Sequence, residues 1–147
     1  MFERVVVAID WSEQSEHAVE TAKELARMSG GEVRLLHVHE VERLPPHGAG
    51  PLATSVEAAG SEAQKEAVDH VAAVSKQIAD AGISATSEVR ISLPGRVAVE
   101  IVEESKAWGA DAIVIGSRGL TNLAGIILGS TTHKLLHLSS LPVVVVR

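Results

Sequence analysis

The chain has no cysteine among its 147 residues. Disulfide bonds and thiolate chemistry are therefore excluded, and the composition fits a cytoplasmic protein. Aromatic residues make up only 2% of the chain, which argues against the stacking platforms that bind single-stranded nucleic acid. A net charge of −6 argues against nucleic acid in general, because such binding needs a basic face.

Long hydrophobic runs are missing as well. No apolar run approaches the ~20 residues of a membrane-spanning helix, so no membrane partner is expected. The opening residues, Met1-Phe-Glu-Arg4, lead straight into an apolar segment rather than into a signal peptide. With 46% hydrophobic and 22% charged residues, the chain suits a single domain over residues 1–147.

Two kinds of apolar pattern alternate along the chain. Short β-branched runs predict five strands, at residues 4–9, 32–38, 84–91, 112–115 and 143–146. Helical spacing of apolar residues predicts four helices between them, at 15–28, 61–81, 96–108 and 130–138. This alternation favours an α/β three-layer sandwich with a mostly parallel sheet. In such sheets ligands bind at the carboxyl ends of the strands, where the strand order reverses.

Residues 40–60 interrupt the alternation. The prolines and glycines at 45, 46, 48, 50 and 51 predict a flexible loop. A loop this long is either a disordered segment or a lid over a ligand, and the sequence leaves both interpretations open.

A glycine pattern near the end of the chain carries the strongest functional signal. Gly116 and Gly119 follow the fourth predicted strand, and Gly129 precedes the fourth predicted helix. Glycine lets backbone N–H groups come close to a ligand, and a helix N-terminus attracts anions. Ser130, Thr131 and Thr132 add hydroxyl donors. The pattern therefore predicts a phosphate cradle, and hence a nucleotide-binding protein.

Two charged residues are further candidates. Arg118 lies inside the glycine pattern, where it either pairs with phosphate or ribose or points into solvent. Asp10 follows the first strand. It is a candidate N-cap for the first helix, with Glu13 completing a capping box, and equally a candidate contact for the nucleotide.

The spacing Gly-x2-Gly-x9-Gly-Ser resembles the signature of the ATP-binding branch of the universal stress proteins. The segments Val5–Ser12, Leu35–Val38 and Leu141–Val146 extend this resemblance over nearly the whole chain. It implies an adenine nucleotide alpha hydrolase-like, Rossmann-like sheet of order 3-2-1-4-5. The order reverses between strands one and four, so that Asp10 and Gly116 face each other across one crevice.

The resemblance also implies roles for the phosphate-binding residues. ATP, with Mg²⁺, is the implied ligand. The backbones of Gly116 and Gly119 approach ribose and phosphate, while Gly129, Ser130 and Thr132 meet the β- and γ-phosphates. Asp10 touches ribose or base, or holds the metal ion.

At the other end of the implied ligand, Val38 and Ile115 flank base and sugar, and the backbone of Val38 recognises adenine. Ala8 stands where some relatives carry proline, and its contact is through the backbone. Trp11 stands where the family more often has a small residue, and either restricts the mouth of the pocket or stacks on the ligand.

The implied function is that of an ATP-binding sensor or switch in stress adaptation, with at most slow hydrolysis or autophosphorylation. AMP or cyclic AMP in the same crevice is an alternative, and so is a nucleotide-free interaction protein. A P-loop is absent, because no lysine precedes Ser130. Relatives dimerise through the last strand, so a homodimer through Val143–Val146, an apolar edge, is expected.

The histidines of the sequence do not form a recognisable metal motif. His37 and His39 alternate on one strand and are interpreted as structural. His133 and His137 share a helix face, but the sequence places no third ligand beside them.

Overall fold

The computed structural model describes residues 1–41, 50–117 and 128–147, with the backbone alone for 50–61. In this described part of the chain, five strands form one parallel sheet in the order β3-β2-β1-β4-β5. Their bounds are β1 Arg4–Ile9, β2 Glu32–Glu40, β3 Ser84–Ser92, β4 Ala112–Gly116 and β5 Val143–Val146. The three-layer α/β architecture and the order 3-2-1-4-5 are confirmed.

Among the residues that the structure describes, four helices cover the two faces of the sheet: α1 Glu13–Ser29, α2 Gly50–Asp80, α3 Val97–Trp108 and α4 Ser130–Leu138. The side chains of β1 alternate between them, as the period of a strand requires. Val5, Val7 and Ile9 pack with α1 and α2, whereas Val6 and Ala8 pack with α3 and α4. Burial on both faces explains why β1 is apolar throughout.

The second helix starts earlier than the sequence predicts. Helix α2 begins at Gly50, so residues 50–60 of the predicted loop are helical, and β2 continues to Glu40. Residues 42–49 lie outside the described part of the chain. The segment after Pro51 is rich in alanine, which favours a helix, and proline is tolerated in the first turn of one. Gly50 and Pro51 therefore lie at the beginning of a helix, and the loop prediction is wrong for residues 50–60.

A polar network fixes α3 to the sheet. Glu104 is 7% exposed and accepts hydrogen bonds from Arg34 of β2 at 2.8 Å and from Arg90 of β3 at 3.0 Å. Arg90 also donates to Glu100 at 2.9 Å. Two charged donors satisfy the buried carboxylate, so the network orients α3 over the two strands.

The sheet order creates a crevice at the carboxyl ends of the central strands. Strand β1 pairs on one side with β2, Ile9 opposite His37, and on the other with β4, Ala8 opposite Ile115. The chain leaves β1 into α1 on one face and enters α4, after β4, on the other. Such a reversal leaves the strand ends open between the two helices.

Candidate functional site at the carboxyl ends of the central strands

One crevice of about 440 Å³ lies at the carboxyl ends of β1, β2 and β4. This volume is in the range of small-molecule sites. Its lining includes every candidate binding residue from the sequence analysis that the structure describes: Ala8, Asp10, Val38, Ile115, Gly116, Gly129, Ser130, Thr131 and Thr132. The other two candidates, Arg118 and Gly119, lie outside the described residues. Residues from four separate segments thus converge on one cavity.

Helix α4 points its N-terminus into this crevice. It begins at Ser130, and Gly129 before it has no side chain with which to cap the helix. The N–H groups of a first helical turn have no partner within the helix, and they lie at the positive end of its dipole. The first turn of α4 therefore offers a set of backbone donors suited to an anion.

Thr132 connects this helix to the neighbouring strand. Its side chain is buried, and its hydroxyl donates a hydrogen bond of 3.1 Å to the carbonyl oxygen of Gly116. The Thr132 hydroxyl, for which the family resemblance implies a phosphate contact, thus already donates its proton to β4. The backbone N–H of Thr132 is the better candidate donor to an anion.

Gly116 lies so close to the first turn of α1 that a larger residue would not fit there. A Cβ atom at this position would lie 2.8 Å from the backbone carbonyl of Gln14, closer than real Cβ contacts. The glycine therefore lets the end of β4 pack against the first turn of α1. Its place in the crevice lining is a second property of the same residue, and the packing alone is sufficient to require glycine.

The turn after β1 fixes Asp10. Its carboxylate accepts hydrogen bonds from the hydroxyl and the N–H of Ser12, the latter at 3.2 Å. Its own N–H donates to the Ser15 hydroxyl at 3.1 Å. The N-cap of α1 is Ser12, whose side chain accepts from the Ser15 N–H. The predicted capping box of Asp10 and Glu13 is wrong, because Trp11 adopts a left-handed conformation and the helix starts later.

Histidine and tryptophan rings form the side of the crevice next to β2. Trp11 stacks on His37, with ring centroids 4.4 Å apart and planes at 27°. His70 of α2 meets Trp11 edge to face at 4.4 Å. The Nδ1 atom of His37 donates to the Ile9 carbonyl at 2.9 Å. The sequence did not predict this cluster, although the parallel register that sets Ile9 opposite His37 brings the two strand ends together.

The environment of His37 favours its neutral form. Burial lowers the pKa of His37, because the charged imidazolium loses solvation. The hydrogen bond to Ile9 and the nearby Asp10 act in the opposite direction, while His39 and His70 add to the lowering. A neutral imidazole that donates from Nδ1 carries its lone pair on Nε2.

The charges that the structure describes around the crevice are negative. Asp10 and Glu40 line it, and none of its described lining residues is lysine or arginine. Among the described parts of the chain, no three acidic, histidine or cysteine side chains form a group that could hold a metal ion. Asp10 and Glu40 are the carboxylates of the described lining, and a metal ion would need further oxygens from its ligand.

Comparisons with known proteins identify relatives over the full length of the chain. The model of the universal stress protein family matches residues 1–147. The chain is 31% identical to universal stress protein YxiE of Bacillus subtilis, with full coverage of both chains. It is 30% identical to universal stress protein MJ0577 of Methanocaldococcus jannaschii, over 100% of this chain and 96% of that protein.

Solved structures have the same fold. The structure of MJ0577 matches with a TM-score of 0.81 at 28% identity, over 99% of this chain and 96% of that one. A universal stress protein from Archaeoglobus fulgidus in complex with dAMP matches with a TM-score of 0.66 at 22% identity, covering 98% and 97% of the two chains. A universal stress protein in complex with cAMP matches with a TM-score of 0.62 at 24% identity, over 99% of this chain and 96% of that one.

Within residues 1–41, 50–117 and 128–147, no helix combines the length and the apolar composition that spanning a membrane requires.

Proposed function

This chain belongs to the universal stress protein family, and we propose that its crevice binds an adenine nucleotide, ATP first among the candidates. The protein then acts as a nucleotide-dependent sensor or switch in stress adaptation. One observation carries the proposal: the uncapped N-terminus of α4 opens into the same crevice as the carboxyl ends of β1 and β2. The first feature suits phosphates, and the second leaves room for a sugar and a base.

The phosphates are proposed to lie against the first turn of α4. Gly129, Ser130 and Thr131 line the crevice there, together with the buried Thr132. Backbone N–H groups of this turn are the donors, and the hydroxyls of Ser130 and Thr131 assist them. We propose that Arg118 and Gly119 contribute from the segment before the helix, the arginine by pairing with phosphate oxygens.

The sugar and base are proposed to lie across the strand ends. Ile115 and Gly116 at the end of β4 flank the ribose, and Ala8 contributes a backbone contact from β1. Val38 presents its main-chain groups to the base at the end of β2. Asp10 touches the ribose or base, or provides one oxygen to Mg²⁺ that arrives with the triphosphate, since Mg²⁺ keeps phosphate and water ligands.

A calorimetric titration of nucleotide-stripped protein with Mg-ATP tests the proposal. We expect about one ATP per chain, and Gly129→Val should abolish binding, because a branched side chain displaces the phosphates from the helix N-terminus. Ser140→Val, an exposed change beyond the other end of α4, is the matched control. Unchanged affinity in a folded Gly129→Val protein would refute the site assignment.

We propose AMP and cyclic AMP as the alternative ligands, a choice that the related structures in complex with dAMP and cAMP support. Competition of AMP and of cyclic AMP against bound ATP ranks the affinities of the three nucleotides. A stronger displacement by cyclic AMP would identify a second-messenger binder. Binding of none would leave the glycines structural and favour an interaction protein without a nucleotide.

We propose that any hydrolysis or autophosphorylation is slow. Phosphoryl transfer needs a positioned metal ion, a base and a positive clamp. The described lining contains two carboxylates, Asp10 and Glu40, and no lysine or arginine. Phosphate release should therefore be close to background in a steady-state assay. Fast release that Asp10→Ala abolishes would instead identify an ATPase.

We also propose a homodimer through β5. This strand is an edge of the sheet, and its four valines are only half-buried in one chain. The carbonyl of Pro142 accepts a hydrogen bond from Ile113 of β4, and that of Val146 accepts one from Ser117 just after β4, so the backbone groups of Val145 face away from β4. Val145→Pro should thus reduce the sedimenting mass from dimer to monomer at micromolar concentration. A monomeric wild-type protein would refute the dimer.

A further inference from the structure

Trp11 separates two openings in the surface. On one side it lines the crevice, and on the other it lines a groove between α1 and α2. Its side chain remains 49% exposed, although it is the bulkiest residue at the crevice. About half of the Trp11 surface is thus exposed beside the strand ends of β1 and β2, while His37 stacks on the ring.

The backbone at Trp11 is strained. Its φ angle is +66°, a left-handed conformation that bulky L-residues rarely adopt. Such strain persists only where the surrounding structure enforces it, and it concentrates at functional sites. Here the hydrogen bonds of Asp10 with Ser12 and Ser15 hold the turn on both sides of the tryptophan.

The ring itself is also held in place. His37 stacks against it and His70 meets it at 77°, so two imidazoles from different elements restrict its rotation. His37 is in turn fixed by its bond to the Ile9 carbonyl. A ring that is oriented before the ligand arrives loses little entropy on binding.

We infer that Trp11 is a specificity-determining residue of the crevice, which stacks against the nucleotide base and favours purines over pyrimidines. A bicyclic purine overlaps an indole over a larger area than a single pyrimidine ring does. The inference rests on the proposed nucleotide function and adds a residue that distinguishes bases by the size of their ring system. In this arrangement the main-chain groups of Val38 form hydrogen bonds with the edge of the base, whereas the Trp11 ring stacks on the face of the base.

Calorimetry with ATP and UTP on three proteins tests this. Trp11→Ala keeps a Cβ atom at the strained position, so it removes the ring and leaves the backbone cost as in the wild type. The change should lower the affinity for ATP about tenfold and the affinity for UTP about threefold, which reduces the discrimination between the two nucleotides. Trp11→Phe retains a ring and should keep most of the preference.

Fluorescence gives an independent measurement. The chain has two tryptophans, and Trp108 lies at the end of α3, under the guanidinium groups of Arg4 and Arg34 at 4.5 and 5.3 Å. In a Trp108→Phe protein, emission comes from Trp11 alone. Saturating ATP should quench it, since stacking on a base brings the indole into contact with the ligand.

The outcomes separate the two proposals. If the wild type binds no nucleotide, both fall. If it binds ATP while Trp11→Ala keeps the wild-type ratio of ATP to UTP affinity, or while Trp11 emission stays constant in the Trp108→Phe protein, only the inference falls. A rise in both affinities on Trp11→Ala would also overturn it, because the ring would then merely obstruct the crevice.

Discussion

Thr132 and Gly116 are joined by one hydrogen bond, from the threonine hydroxyl to the glycine carbonyl at 3.1 Å. The bond connects the first turn of α4 to the last residue of β4. These are the two elements between which the proposed phosphate and ribose positions lie. The distance between them is therefore fixed by a contact within the protein before any ligand is present.

Thr132→Val should lower the free energy of unfolding by about 1–2 kcal/mol. The valine preserves the shape of the side chain but leaves the Gly116 carbonyl without its donor. Thr132→Ser keeps the hydroxyl and should restore most of the bond. Urea denaturation of the three proteins measures the difference. Equal stability of the threonine and valine forms would show that the bond contributes nothing.

Gly116→Ala should both destabilise the protein and lower its affinity for ATP. Its Cβ atom would meet the Gln14 backbone at 2.8 Å, and relief of that overlap costs about 1–3 kcal/mol. The relief moves the end of β4, which lines the crevice. Gly82→Ala is a matched control: its φ of +82° makes alanine unfavourable by about 1–2 kcal/mol, but nothing lies within 4 Å of the new atom. The control should lose stability and keep its ATP affinity, as calorimetry and thermal melts can show.

The stability of the protein should fall as the pH is lowered through the ordinary pKa of histidine, 6.5. Because burial lowers the pKa of His37 in the folded state, the unfolded chain takes up the proton first. The contribution of His37 is complete above pH 6.5 and is lost as the pH falls from there towards its folded pKa. Denaturation should be measured at a series of pH values from about 8 to about 5, on both sides of the ordinary histidine pKa. The free energy of unfolding should depend less on pH in His37→Gln than in the wild type. Parallel curves would exclude His37 as a source.

Glu104→Ala should lower the free energy of unfolding by about 2–3 kcal/mol. The change leaves Arg34 and Arg90 without a carboxylate that both contact, and their partial exposure keeps the cost below that of a fully buried pair. Glu103→Ala is the control, because its carboxylate is 3.7 Å from Arg90 and its side chain is 55% exposed. That change should cost less than about 1 kcal/mol. Similar losses for the two variants would contradict the role assigned to burial.

The architecture was predictable because its determinants are local. The run Val5-Val6-Val7 can be buried on both faces only in a covered sheet, and the alternation with helices then favours parallel strands. The strand order came from the resemblance and not from these patterns. Of the site, the glycine and hydroxyl residues around α4 were predicted, and they line one crevice.

What could not be predicted depends on backbone conformation or on contacts between distant elements. The left-handed turn at Trp11 moves the cap of α1 from Asp10 to Ser12, and no rule of spacing indicates it. The stack of Trp11 with His37 and His70 joins three elements. The bond from Thr132 to Gly116 depends on the approach of α4 to β4, which sequence patterns do not specify.

The pairing of β1 with β4 has a consequence for biosynthesis. Val5 lies opposite Ala112, so this part of the sheet cannot close until most of the chain has left the ribosome. The crevice, which these strands share, is complete only afterwards. A nucleotide that binds there would stabilise finished molecules and not nascent ones, because binding to the folded state alone shifts the folding equilibrium. Cellular nucleotide levels would then influence how much of the newly made protein survives quality control.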